Sequence, residues 1–162
     1  MRHALRLARG ATRRAEVPVG CVAELDGRVL AAASNRVEAT RDATRHAEME
    51  VLSACARRLG DWRLAGVTLY VTLEPCPMCA GAMLLSRVPR IVYGADDPRK
   101  GAFRSAYDVL ANPSGNHHPR VDRGLLSNEA ADLLLDFFRQ LRTNPGARFS
   151  QSPPLAPRRL RR

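Results

Sequence analysis

The chain has 162 residues, 45% of them hydrophobic and 26% charged, with a formal net charge of +10. That length suits one domain around a single buried core and excludes a second full domain. No stretch approaches the roughly 18 consecutive apolar residues of a membrane span, and the Arg-interrupted start lacks the apolar run of a signal peptide, so the expected location is the cytoplasm with no membrane partner.

In chain order, Arg2 to Ala15 reads as a helix, with Ala4, Leu5, Leu7, Ala8, Ala11 and Ala15 forming an apolar stripe at helical spacing. Val17 to Leu25 and Arg28 to Ala33 read as strands joined at Asp26-Gly27, a two-residue hairpin signal because Gly accepts a positive φ. A second helix is expected from His46 to Leu59, burying Met49, Leu52, Cys55, Ala56 and Leu59, with Gly60 as its stop. Val67 to Leu73 alternates β-branched, aromatic and aliphatic residues as a strand does, and Glu74-Pro75 ends it. Pro77 to Ser86 is the third helix, and Arg90 to Tyr93 a short strand parallel to the one before, as in a βαβ unit. Asp96 to Gly101 and Asn112 to Pro119 read as loops flanking a helix near Ala102 to Leu110, and Val121 begins a short strand. A last helix runs from Asn128 to Leu141, with Ser127 as N-cap and Leu133, Leu134, Phe137 and Leu141 inward. These elements predict an α/β fold, a three-layer α/β/α sandwich in which helices cover both faces of a mixed sheet of about five strands. Residues 1–142 are expected as the folded domain. Residues 143–162, rich in Pro and Arg, are expected as a disordered basic tail, for which nucleic acid is one partner and solvent the other.

The chemistry concentrates in two places. His46-Ala47-Glu48 opens one helix, and Pro75-Cys76-Pro77-Met78-Cys79 opens another about thirty residues later. Two cysteines three apart at a helix start aim their sulfurs the same way, and the helix dipole favours the thiolate that binds zinc. His46 completes a three-ligand set, and three protein ligands rather than four characterise catalytic zinc. Such zinc makes water a nucleophile near neutral pH, and Glu48 is the candidate general acid/base beside it. The His-x-Glu and Pro-Cys-x-x-Cys pair is the known signature of zinc nucleobase deaminases. A fourth ligand would make the site structural; Cys21, Cys55, His117 and His118 are the candidates, although Cys21 and Cys55 fall where buried thiols are common. Disulfides are not expected in a reducing compartment.

Around these motifs stand Glu16-Val-Pro-Val-Gly20, Ser34-Asn35-Arg36, Thr72 to Ala82, Tyr93-Gly94 with Asp97-Pro98, Gly101-Ala102, Asp108-Val-Leu110, Asn116-His117 and Asp136-Phe-Phe138. With them, residues 2 to 141 resemble the TadA-type bacterial tRNA adenosine deaminases, within the cytidine deaminase-like superfamily. The resemblance implies hydrolysis of adenosine to inosine at the wobble position of an arginine tRNA anticodon by a homodimer holding one zinc per subunit. It implies that Asn35 hydrogen-bonds the flipped nucleotide, that the Ala47 amide reads the base edge, that Val17 lines the pocket, and that Asp97 contacts RNA. Arg99, Lys100, Asn116 and His117 are further candidate RNA contacts. Arg99 and Arg104 depart from the usual Lys and Gly.

Two other functions fit the same motifs: a deaminase of free guanine, cytosine or a small nucleoside, and a zinc-stabilised RNA-binding module without activity. Basic Arg99-Lys100 favours a polyanion, and Glu48 favours catalysis. Met83 and Leu84 are the candidate dimer contacts.

Overall fold

A computed structural model describes residues 1–111 and 115–143, so the expected tail from 144 onward lies outside the described residues. Its elements are α1 (Arg2–Thr12), β1 (Gly20–Leu25), β2 (Arg28–Ser34), α2 (Val37–Thr40), α3 (Ala47–Leu59), β3 (Thr68–Leu73), α4 (Pro77–Leu85), β4 (Arg90–Ala95), β5 (Arg120–Arg123) and α5 (Ser127–Thr143). The strands form one sheet in the order β2-β1-β3-β4-β5. β1 runs antiparallel to both β2 and β3, whereas β3, β4 and β5 are parallel. Helices α1 and α5 pack on one face, and α3 with α4 on the other, giving the three-layer sandwich. Among the described residues no helix is long and apolar enough to cross a membrane.

Alternation along the strands sorts the core. Cys21 and Ala23 of β1, Leu69 and Val71 of β3, and Ile91 and Tyr93 of β4 join Val51, Leu52 and Cys55 of α3 and Met83 of α4 in one buried cluster. Each large aliphatic side chain so removed from water contributes about 1.5–3 kcal/mol before entropy is counted. The β1–β2 hairpin turns at Asp26 (φ 51°) and Gly27 (φ 75°), the paired positive φ of a type I′ turn.

Several boundaries differ from expectation for local reasons. α1 ends at Thr12, because the chain turns through Ala15 (φ 57°) to bury Glu16, whose carboxylate accepts the Ala39 amide at 2.8 Å and the Glu38 amide at 3.2 Å. Those bonds cap the short α2, which hydrophobic periodicity does not reveal. β1 starts at Gly20 rather than Val17, because Val17 to Val19 form a tight turn closed by the Val19 amide on the Val17 carbonyl at 2.8 Å. In α3 the buried residues are Ala47, Glu48, Val51, Leu52 and Cys55, while Leu59 is 38% exposed, so its inward face is rotated from the one expected. The helix expected over Ala102 to Leu110 is absent: the segment is a run of turns whose amides are taken by a buried carboxylate, Glu74. In α5, Leu126 (φ 58°) takes the capping position expected of Ser127, its carbonyl accepting the Ala130 amide; Ala130 and Phe137 are buried, and Leu133, Leu134 and Leu141 only partly.

Candidate active site

β3 delivers the chain to Glu74-Pro75, after which Cys76 caps α4 with Pro77 at its first helical position, where a missing N–H costs nothing. His46 caps α3 in the same extended conformation. Since α3 and α4 pack side by side, the two caps converge: His46 Nδ1 lies 3.7 Å from Cys76 Sγ and 3.5 Å from Cys79 Sγ. Zn–N and Zn–S bonds of usual length, set at a tetrahedral angle, place nitrogen and sulfur about 3.6 Å apart. His46, Cys76 and Cys79 therefore form a group that could hold a metal ion, and their ligand atoms all lie within 4.8 Å of one another.

The electrostatics of the cluster suit a cation. Hydrogen bonding from Cys79 and His46 draws the Cys76 thiol down to about 4, against the opposing effect of burial. The same Cys76–Cys79 bond, with burial, pushes the Cys79 thiol up, so one of the two sulfurs carries the negative charge. Its hydrogen bond to Cys76 raises His46. Glu48, in the first turn of α3, is 3% exposed, and burial raises its carboxyl. Its Oε2 is the one buried side-chain oxygen or nitrogen among the described residues with no hydrogen-bond partner. An orphaned carboxylate oxygen beside two thiols is expensive unless a cation or a substrate proton completes it.

Asn35 follows β2 and is 5% exposed. Its Oδ1 accepts the Ala47 amide at 2.9 Å. The amide expected to read a base edge is thus engaged inside the protein, and the donor left at this corner is the Asn35 NH2. Val17 is half-buried against the core cluster. Asp97 is first a turn residue: its Oδ1 accepts the amides of Arg99 at 2.9 Å and Lys100 at 3.2 Å. Arg99 and Lys100 are exposed, and Lys100 is near enough to lower the His46 pKa by repulsion.

Asn116 and His117 are placed elsewhere. Arg87 donates to the Asn116 backbone carbonyl at 3.0 Å and to its Oδ1, and His117 Nε2 donates to the Val88 carbonyl at 2.7 Å. These residues border the starts of β4 and β5, whereas His46, Cys76 and Cys79 lie past the end of β3. With the strands parallel, the two groups are separated by about 17 Å of strand in one chain. Cys21, Cys55 and His118 join no metal-binding group among the described residues; both cysteines are buried thiols, and burial raises each. Met83 is fully buried, so it is a core residue; the exposed apolar residues of α4 are Met78 and Leu85.

Glu74 escaped the sequence reading, where it served only to end a strand. It is 2% exposed and accepts the amides of Asp97, Phe103, Arg104 and Ser105 and the Ser105 hydroxyl. The signal available in the sequence was an acid adjoining a strand of buried character.

The model of the MafB19-like deaminases matches residues 1–142. With the sheet order and the helix-borne donor cluster, this match makes the chain a hydrolytic deaminase of the cytidine deaminase-like fold. The tRNA-specific adenosine deaminase of Bacillus subtilis (strain 168) is 44% identical over 142 residues, 88% of each chain. A solved structure from a study of A-to-I editing by tRNA:A34 deaminases at the wobble position is 46% identical, with a TM-score of 0.80 over 83% of this chain and 97% of that one. A guanine deaminase from Nitrosomonas europaea is 26% identical, with a TM-score of 0.68 over 83% and 80%. The chain belongs to the tRNA-specific adenosine deaminase family.

Proposed function

We propose that the protein hydrolyses adenosine to inosine at the wobble position of a tRNA anticodon, an arginine tRNA among its substrates, with zinc held by His46, Cys76 and Cys79. The observation that carries this reading is the buried, unpartnered Oε2 of Glu48 beside that donor set. The identity of the donors fits zinc, because two thiolates and an imidazole suit it far better than they suit magnesium or calcium. Bound there, zinc supplies a Lewis acid that makes water nucleophilic at neutral pH.

The chain's own residues supply the proton traffic. Glu48 accepts a proton from the attacking water and delivers it to the purine ring nitrogen next to the carbon under attack. Glu48 then takes the remaining proton of the added hydroxyl and passes it to the amino group, so that the C–N bond breaks, ammonia leaves and the attacked carbon becomes a carbonyl. Its raised pKa suits a group that must both take and give. In this reading the Asn35 NH2 orients the base, Val17 lines its pocket, and Asp97, Arg99 and Lys100 meet the phosphate and sugar at the rim. The deaminase domain is residues 1–142, active as a homodimer in the cytoplasm, with residues 143–162 adding basic charge.

The test is direct: the zinc-loaded protein should release ammonia from an anticodon stem-loop carrying adenosine at the wobble position. Turnover of free guanine with none of that RNA would replace this reading by a small-molecule deaminase.

A further inference from the structure

We propose that Glu74 is a positioning residue that ties the substrate-facing loop to the metal-bearing turn and acts through Asp97; the inference rests on the deaminase reading above. Glu74 stands between β3 and Pro75, two residues before Cys76. Its two oxygens do separate work. Oε1 accepts three consecutive amides, from Phe103 at 3.1 Å, Arg104 at 2.9 Å and Ser105 at 3.1 Å. Oε2 accepts the Asp97 amide at 3.1 Å and the Ser105 hydroxyl.

The loop closes directly on this carboxylate. The Gly101 amide donates to the Asp97 carbonyl at 2.8 Å, and the Ala102 amide to the Pro75 carbonyl at 2.9 Å. A Cβ at Gly101 would overlap Glu74 Oε2, so the approach requires glycine there. Asp97 in turn holds the amides of Arg99 and Lys100. One buried acid therefore fixes where the loop's own acid and its two cations stand relative to Cys76.

A neutral amide could serve half of this arrangement. The oxygen of a glutamine can accept the three amides now on Oε1, but its NH2 cannot accept the Asp97 amide. The need for a carboxylate is thus specific to the Asp97 corner, which is also the corner expected to meet RNA.

The experiment is a double-mutant cycle of Glu74→Gln and Asp97→Ala on the zinc-loaded full chain, read as kcat and KM on the anticodon stem-loop, with zinc content and melting temperature alongside. Glu74→Gln should keep its zinc and raise KM about tenfold, as expected for loss of a charge-assisted hydrogen bond, with a smaller change in kcat. In the Asp97→Ala background it should add nothing, because its effect runs through Asp97. Wild-type KM in Glu74→Gln, or effects that multiply, would overturn the inference. Should Glu74→Gln fail to fold, Ser105→Ala removes only one donor from Oε2 and should raise KM by a smaller factor, again only when Asp97 is present; an unchanged KM would overturn the inference equally. A wild-type protein inactive on the RNA sinks the deaminase reading itself, whereas an active wild type with an indifferent Glu74→Gln sinks only this step.

Discussion

The side-chain oxygen of Asn35 accepts the Ala47 amide at 2.9 Å, joining the residue after β2 to the first residue of α3. Because an N–H can only donate, the bond fixes which end of the Asn35 amide meets Ala47 and leaves its NH2 as the remaining donor. Two substitutions separate these roles. Asn35→Asp keeps an acceptor for Ala47 and removes the donor, so kcat/KM should fall about 10- to 100-fold with the fold retained. Asn35→Ala loses both and should also destabilise the protein by about 1–2 kcal/mol, read by urea denaturation beside steady-state kinetics.

Glu48 is buried with an unpartnered oxygen, so its charge is kept at the expense of stability. Glu48→Gln should therefore melt at the same temperature as the wild type or higher, keep its metal, and lose about 10²- to 10⁴-fold in rate. Ammonia release, metal analysis and a thermal melt on the same preparation check all three.

The proposed zinc site at His46, Cys76 and Cys79 predicts a selective cysteine pattern. Cys76→Ala should lose stoichiometric zinc and all measurable activity, while Cys21→Ala, a change in a buried thiol outside the cluster, should keep both. Chelation of the wild type should abolish activity and lower the melting temperature, and added zinc should restore both. Zinc affinity should weaken at acid pH, because the imidazole and thiols must lose protons to bind.

Tyr93 offers a test at the other end of the pH scale. Burial first, then the nearby acids Glu74 and Asp96, push its phenol up to about 12 from 10.0. Unfolded chains ionise this tyrosine earlier than folded ones, so its contribution is intact below about pH 10 and is lost as pH rises toward 12. In alkaline denaturation Tyr93→Phe should lose less stability than the wild type over that interval, the difference being roughly 1–3 kcal/mol. Parallel curves for the two proteins would contradict this origin of the shift.

The sequence made the helices and central strands legible where a local rule governs them: Asp26-Gly27 as a turn, Gly60 as a helix end, Val67 to Leu73 as alternation. The gathering of His46, Cys76 and Cys79 was legible as well, because the two cysteines share a helix start and His46 opens the other. What stayed hidden depends on pairings distant in sequence. Glu16 caps α2 from more than twenty residues away, and Glu74 replaces the expected helix after Ala102 by drawing its amides inward. No window of sequence contains both halves of such a bond. Asn116 and His117 were named as candidate RNA contacts, and His117 as a possible fourth ligand, but strand direction sets them at the other end of the sheet from His46, Cys76 and Cys79.

The central claim, adenosine deamination in tRNA by a Glu48-assisted site, is tested most directly by sequencing total tRNA after incubation with the zinc-loaded protein and with its Glu48→Ala variant. The account predicts A-to-G changes confined to the wobble position, with an arginine tRNA among those changed, for the wild type, and none with the variant. Unchanged tRNA with the wild type, or the same changes with both proteins, would contradict it.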